Sequence, residues 1–209
     1  MTGVKICGLR DAEMAAFAVR EGADWIGVNF IPQSPRYVPA ESAETLLQSM
    51  GKAAAVALLA DPSDEEAKAV AALGFPILQL HGAESPARAA EIKALTGCVI
   101  WKAIGVRSGD DLGQTGTFRD IDGLLLDAKA PDGAAMAGGH GQVFDWALLK
   151  GWAAPKPWLL AGGLTPQNVA EAIRETGAPA VDVSSGVERE RGVKDRELIR
   201  AFLRAAKGQ

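Results

Sequence analysis

Gly3-Val4-Lys5-Ile6-Cys7-Gly8-Leu9-Arg10-Asp11 is a short apolar run that ends at a small residue and a glycine and leads at once into a helix start. The run is of strand length, and Gly8 marks the point where the backbone turns. Asp11 is a helix-capping residue type, with Met14 and Phe17 as an inward face behind it and Gly22 as the stop. The stretch is therefore one unit of strand, tight turn and helix. If its strand lies in a parallel sheet, the C-terminal tip is where a functional side chain would stand, and Cys7 occupies that tip.

The same unit recurs to the end of the chain. Apolar runs lie at 4–7, 25–30, 54–59, 77–80, 99–104, 123–127, 158–161 and 180–183. Their near-continuous apolar character suits strands buried on both faces, as parallel sheets require. Helix punctuation falls between them. Ser63-Asp64-Glu65-Glu66 is a capping box, followed by Val70 and Leu73 on the apolar face and Gly74 as the stop. Ser85-Pro86 and Thr165-Pro166 each place a capping hydroxyl before a proline at the first helical position, and Gly97 and Gly177 close those helices. Asp195 opens the last helix, with Leu198, Ile199 and Phe202 as its buried stripe. Eight consecutive strand–helix units predict an α/β fold of the (β/α)8 TIM-barrel class, a parallel eight-stranded barrel with outer helices. An open doubly wound sheet shares this periodicity and is the alternative. No composition shift or low-complexity linker divides residues 1–209, so a single barrel domain is expected.

Hydrophobic residues make up 48% of the chain and charged residues 23%, the balance of a globular protein with a substantial core. No apolar run approaches the roughly 18 residues of a membrane span. One lysine and no apolar stretch precede Cys7, so no secretory signal is expected. Two cysteines, Cys7 and Cys98, are too few for a disulfide framework in a chain of this length, and a cytoplasmic setting is expected. The net charge of -4 and the absence of a stacking pattern among the tryptophans exclude nucleic acid as an expected partner. An anionic small molecule would need a local positive site, such as backbone amides at a helix start. A monomer is the default expectation, with a homodimer as the alternative.

In a barrel the loops after the strands carry function. After the second strand comes Asn29-Phe30-Ile31-Pro32-Gln33-Ser34-Pro35-Arg36-Tyr37, a proline-stiffened loop presenting one arginine. After the fourth comes His81-Gly82. The sixth strand ends at Asp127 and leads into a long loop, 128–142, that holds Gly138-Gly139-His140-Gly141. Gly162-Gly163 follow the seventh strand, and Ser184-Ser185-Gly186 follow the eighth. Each of these last two loops, taken singly, reads as a tight turn. Together, after strands seven and eight of a barrel, they point to a phosphate site, because glycines let an anion approach exposed amides.

These segments closely resemble the phosphoribosylanthranilate isomerase family of tryptophan biosynthesis along the whole chain. The resemblance rests on Lys5-Ile6-Cys7-Gly8-Leu9, Ser34-Pro35-Arg36, Gln79-Leu80-His81-Gly82, Leu125-Leu126-Asp127, Phe144-Asp145-Trp146, Ala161-Gly162-Gly163-Leu164 and Asp182-Val183-Ser184-Ser185-Gly186-Val187-Glu188. One departure is His140, where the family usually has threonine or serine between the glycines. The resemblance implies an Amadori rearrangement of N-(5-phosphoribosyl)anthranilate to 1-(2-carboxyphenylamino)-1-deoxyribulose 5-phosphate, without cofactor or metal. It implies Cys7 as general base and Asp127 as general acid. Arg36 would meet the anthranilate carboxylate, and His81 and Asp182 would line the substrate. Gly162, Gly163, Ser184, Ser185 and Gly186 would hold the phosphate.

Each of these residues also has an ordinary structural reading. Free cysteine is among the most buried residue types, and Cys98, at the start of the fifth strand, is assigned to structure. Asp127 and Asp182 could cap turns, His81 could bond a backbone carbonyl, and Arg36 could be a solvated surface arginine. Lys102 within the fifth strand reads as a structural charge, and the charge-rich stretch 188–194 reads as a solvated loop. The related histidine-pathway and dual-substrate isomerases resemble this barrel but carry aspartate where Cys7 stands. A lysine-dependent sugar-phosphate lyase using Lys102 or Lys129, and a barrel that binds a sugar phosphate without turnover, are the remaining alternatives.

Overall fold

A computed structural model describes residues 1–128 and 145–208. Eight parallel strands close into a barrel in sequence order. They are β1 (Gly3–Cys7), β2 (Trp25–Asn29), β3 (Ala54–Leu59), β4 (Ile77–Leu80), β5 (Val99–Val106), β6 (Gly123–Ala128), β7 (Trp158–Leu160) and β8 (Ala180–Val183). The seam is made by β1 on β8, with Gly3 opposite Ala180 and Lys5 opposite Asp182. That pairing replaces the open doubly wound alternative with a closed barrel, which periodicity alone had no means of distinguishing.

Alternation along each strand produces two cores. Inward residues, among them Cys7, Val56, Leu58, Trp101, Leu125, Leu159 and Ala180, pack together inside the barrel. Outward residues such as Val4, Ile6, Ile26, Ile100, Leu124 and Val181 pack against the helices. The N-terminal end of the bore is filled by Trp25 and Trp101, whose rings meet edge to face at 5.6 Å. Glycines on adjoining strands make that possible: a Cβ on Gly3 would lie 2.6 Å from the Trp25 ring, and one on Gly123 would lie 2.8 Å from Trp101.

The outer layer contains α1 (Ala12–Arg20), α2 (Ala43–Ser49), α3 (Asp64–Ala72), α4 (Pro86–Thr96), α5 (Gly109–Gly113), α6 (Val169–Thr176) and α7 (Arg196–Lys207). The expected caps on four of them are present. Asp11 accepts from the Met14 amide, Ser63 and Glu66 form a full capping box, Ser85 accepts from the Arg88 amide, and Asp195 accepts from the Glu197 and Leu198 amides. Each such cap stabilises its helix by about 1 kcal/mol. The last helix is fastened to the first by Arg200, which donates to both carboxylate oxygens of Glu21 at 3.0 Å and lies over the Phe17 ring.

The expectation of eight regular helices needs correction. Among the described residues the β6–β7 crossover carries only a 3-10 turn, Trp146–Leu149. The Thr165 cap is also shifted. Regular helix begins at Val169, and the Asn168 side chain instead accepts from the Thr165 amide at 2.8 Å and donates to the Gly163 carbonyl at 3.1 Å. The stretch 188–194 is a hairpin, β9 (Glu188–Glu190) against β10 (Val193–Lys194), and its two ends are buried. The charges at its two ends, Glu188 and Lys194, pair with each other, and Glu188 also pairs with Arg36, while Arg189, Glu190 and Arg191 at the tip are exposed.

Candidate active site

The residues to which the resemblance gives a catalytic, substrate-binding or phosphate-binding role gather at the C-terminal rim of the barrel or in the loops just above it. Cys7 ends β1 on the inward face and is 5% exposed. Lys5, two residues earlier on the same face, is fully buried, and its ammonium donates to the Asp182 carboxylate at 2.9 Å. Room for both side chains comes from Gly27 on β2. A Cβ there would lie 2.9 Å from the Cys7 sulfur and 3.0 Å from the Lys5 Nζ, which makes thiol and ammonium neighbours. Burial pushes the Cys7 thiol up; Lys5 pulls it down, Asp182 pushes it up, and Lys194 pulls it down. Burial prevails, so the thiol titrates above the ordinary cysteine value. Lys5 feels burial in the opposite sense, but Asp182 and Cys7 outweigh it and keep the ammonium above the usual lysine value.

Across the barrel, Asp127 belongs to the inward set of β6, because Leu124 and Leu126 beside it face the helices. Its Oδ2 lies 3.6 Å from His81 Nε2. His81 Nδ1 is in turn 3.1 Å from the amide nitrogen of Gln79, which is fully buried inside the barrel. His81 thus bridges the buried Gln79 amide on one side and the Asp127 carboxylate on the other. The loop after β7 presses down on the same carboxylate. Gly162 has φ +86, and a Cβ there would meet the Ala128 amide at 2.5 Å and Asp127 Oδ1 at 3.0 Å.

The two glycine and serine loops meet each other. A Cβ on Gly186 would lie 1.8 Å from the Leu164 carbonyl oxygen, so the loop after β8 touches the loop after β7 backbone to backbone. Ser184 ties this pair to the thiol strand, its hydroxyl donating to the Cys7 carbonyl at 3.2 Å. Ser185 and Gly186 form a single 3-10 turn with Val187. The anion-binding elements expected from the sequence therefore form one continuous rim beside Cys7.

Arg36 departs from its reading as a solvated arginine. It is 6% exposed, and its stem lies so close over Gly8 that a Cβ there would meet Arg36 Cδ at 2.4 Å. Its guanidinium donates from Nε and Nη2 to the two oxygens of Glu188, at 2.6 and 2.9 Å. Lys194, also buried, donates to the same carboxylate at 2.8 Å, and to the Ser184 carbonyl at 2.9 Å and hydroxyl at 3.1 Å. Burial would raise the Glu188 carboxyl, but Arg36, Lys194 and the Gly192 amide hold it down at about 2. Burial keeps Lys194 below its ordinary value, although Glu188 raises it. Glu188 ended one of the recognised motifs, a signal that composition obscured by placing it in a charged run. Lys194 had no signal at all.

Lys102 lies outside this group. Its register partner Leu80 and its neighbours Ile100 and Ile104 face the helices, and its ammonium bonds Glu84 at 2.8 Å and the Gly82 carbonyl at 2.7 Å. This is a buried structural ion pair, as the sequence suggested. Cys98 sits at the opposite end of the barrel, its sulfur 3.5 Å from the Phe75 carbonyl. Lys129, His140 and the 138–141 glycine stretch lie outside the described residues. Among the described residues no helix is long and apolar enough to cross a membrane.

Comparison with known proteins agrees with this architecture over the full chain. The family described as N-(5'-phosphoribosyl)anthranilate (PRA) isomerase matches residues 4–205. A protein of Hyphomonas neptunium named N-(5'-phosphoribosyl)anthranilate isomerase is 74% identical over 207 residues, covering 99% of this chain and 98% of its own. The crystal structure of phosphoribosyl anthranilate isomerase from Thermotoga maritima superposes with a TM-score of 0.91 at 35% identity, covering 100% of both chains. A crystal structure of a phosphoribosyl anthranilate isomerase in complex with reduced 1-(o-carboxyphenylamino)-1-deoxyribulose 5-phosphate superposes with a TM-score of 0.88 at 33% identity and full coverage of both chains.

Proposed function

Because the chain belongs to the N-(5'-phosphoribosyl)anthranilate isomerase family, we propose that Cys7 and Asp127 are the base and the acid of its reaction. The enzyme is an isomerase of tryptophan biosynthesis, and its substrate class is a phosphorylated sugar amine. The conversion turns an aldose amine into a ketose amine and needs two proton-transfer groups that reach the sugar from different directions.

Asp127, in its protonated form, gives a proton to the ring oxygen. The C1–oxygen bond breaks, and the nitrogen lone pair closes an iminium at C1. Cys7, as thiolate, takes the proton from C2, whose acidity the adjacent cation has raised, and an enolamine forms. Return of that proton to C1, with loss of the enol proton to the carboxylate left on Asp127, yields the ketone and restores both groups. Proton transfers of this kind typically contribute about 10²–10⁴-fold each.

The protein's own groups do not favour thiolate, since burial outweighs Lys5 and Lys194. The iminium supplies the missing positive charge at the moment it is needed, one bond from C2. The observation that carries this reading is positional. Cys7 and Asp127 end inward-facing runs on β1 and β6, and the joined loops after β7 and β8 lie between those strands on the closed barrel. A phosphate held on Gly162, Gly163, Ser184, Ser185 and Gly186 would set the ribose between the two groups, with Asp182 and His81 flanking it and Arg36 on the anthranilate carboxylate. We propose that the barrel acts as one domain in the cytoplasm.

Selective alkylation tests the reading. In a Cys98→Ala variant, iodoacetamide has Cys7 as its thiol target, and turnover should fall in proportion to its modification. Full modification of Cys7 with turnover intact would sink the proposal.

A further inference from the structure

An ionised carboxylate offers about four lone-pair positions, and all four of Glu188 are filled. Oε1 accepts from Arg36 Nε at 2.6 Å and Lys194 Nζ at 2.8 Å. Oε2 accepts from Arg36 Nη2 at 2.9 Å and from the Gly192 amide at 3.1 Å. The hairpin reaches this position because Gly192 has φ +82 and no side chain; a Cβ there would lie 2.9 Å from the Pro35 carbonyl, one residue before Arg36. The hairpin thus closes directly onto the arginine loop and buries the Glu188 carboxylate against it.

A guanidinium has two edges that can grip a carboxylate with paired hydrogen bonds, the Nε–Nη2 side and the Nη1–Nη2 end. Glu188 occupies the first. We infer that Glu188 is a positioning residue, which clamps Arg36 by its Nε–Nη2 side and so reserves the Nη1–Nη2 end for the carboxylate of the substrate. Lysine at this position could not serve both, having a single ammonium in place of a planar fork. Lys194 fixes the charge of the clamp, and the pair leaves no step from Glu188 in the working pH range, because its carboxyl is held at about 2. The inference rests on the reading of Arg36 given above, that it meets the anthranilate carboxylate.

Two ligands separate this role from general support of the fold: the reduced product analogue bearing the o-carboxyphenylamino group, and its phenylamino counterpart without the carboxylate. Binding of both is measured by calorimetry to the native chain, Glu188→Gln, Glu188→Asp, Arg36→Ala and the Arg36→Ala/Glu188→Gln double variant. Glu188→Gln should weaken the carboxylate ligand by about ten- to a hundred-fold and leave its counterpart unchanged. Glu188→Asp, which keeps the charge, should recover part of the loss and serves if the glutamine variant does not fold. In the Arg36→Ala background the Glu188 substitution should have no further effect on the carboxylate ligand. Equal weakening of both ligands, or no weakening, overturns the positioning role. If Arg36→Ala itself leaves the preference for the carboxylate ligand intact, the reading of Arg36 fails instead.

Discussion

The Lys5 ammonium bonds the Asp182 carboxylate at 2.9 Å across the seam between the first and last strands, beside the Cys7 thiol. One buried cation thereby serves two purposes. It neutralises a carboxylate that closes the barrel, and it is the largest influence drawing the Cys7 thiol down. Replacing Lys5 removes both together.

The Lys5→Met variant should therefore push the Cys7 thiol still higher. In the Cys98→Ala background the rate of Cys7 alkylation against pH should move to higher pH than in the parent chain. The parent itself should titrate above an ordinary cysteine. Since the folded thiol holds its proton longer than the unfolded one, its contribution to stability is present below the ordinary cysteine value and is lost as pH rises through the folded value. An unchanged alkylation profile in Lys5→Met would show that Lys5 does not act on the thiol.

The same substitution leaves Asp182 buried without its cation. Breaking a buried pair from one side costs about 3–5 kcal/mol, whereas removing both charges is far less damaging. Urea denaturation should show Lys5→Met to be destabilised by about that amount, and Lys5→Met/Asp182→Asn to recover much of it. Similar midpoints for the single and double variants would contradict the pairing.

Glu188 predicts the acid limb of stability. Its folded carboxyl sits at about 2 against an ordinary 4.5. The stabilisation is complete above the ordinary carboxyl value and is lost as pH falls from there towards 2. The shift corresponds to about 3 kcal/mol. Glu188→Gln should lack this component, so its stability should fall less between pH 5 and pH 3 than that of the native chain in denaturant titrations. Parallel declines would remove Glu188 from the acid response.

Gly186 is the tightest contact in the candidate phosphate rim. Alanine there would put a Cβ 1.8 Å from the Leu164 carbonyl oxygen, and the two loops must separate to admit it. Gly186→Ala should raise KM for the phosphorylated substrate by at least about ten-fold, the cost of about 1.4 kcal/mol of lost anion contacts. Native KM and turnover in this variant would place the phosphate elsewhere.

The barrel was legible because its signals are local and repeated. Val4 and Ile6 on one face, Asp11 and Ser63 as caps, and Gly97 and Gly177 as left-handed stops each declare their element within a few residues. Closure was not legible, because the pairing of Lys5 with Asp182 joins residues 177 positions apart. The rim was legible as far as the strand ends and glycine loops announce it. The clamp on Arg36 was hidden for the same reason as closure: Arg36 and Glu188 are 152 positions apart. In a window of sequence Glu188 and Lys194 look like any solvated charges. Only the fold shows that each is buried against an opposite partner.

The roles of Cys7 and Asp127 are tested by following the fluorescence of phosphoribosylanthranilate generated in situ, with the native chain, Cys7→Ala and Asp127→Asn compared after each is shown to be folded. Each substitution should slow the loss of fluorescence by about 10²–10⁴-fold while leaving binding of the reduced product analogue close to native. Near-native turnover in either folded variant would contradict the role given to that residue.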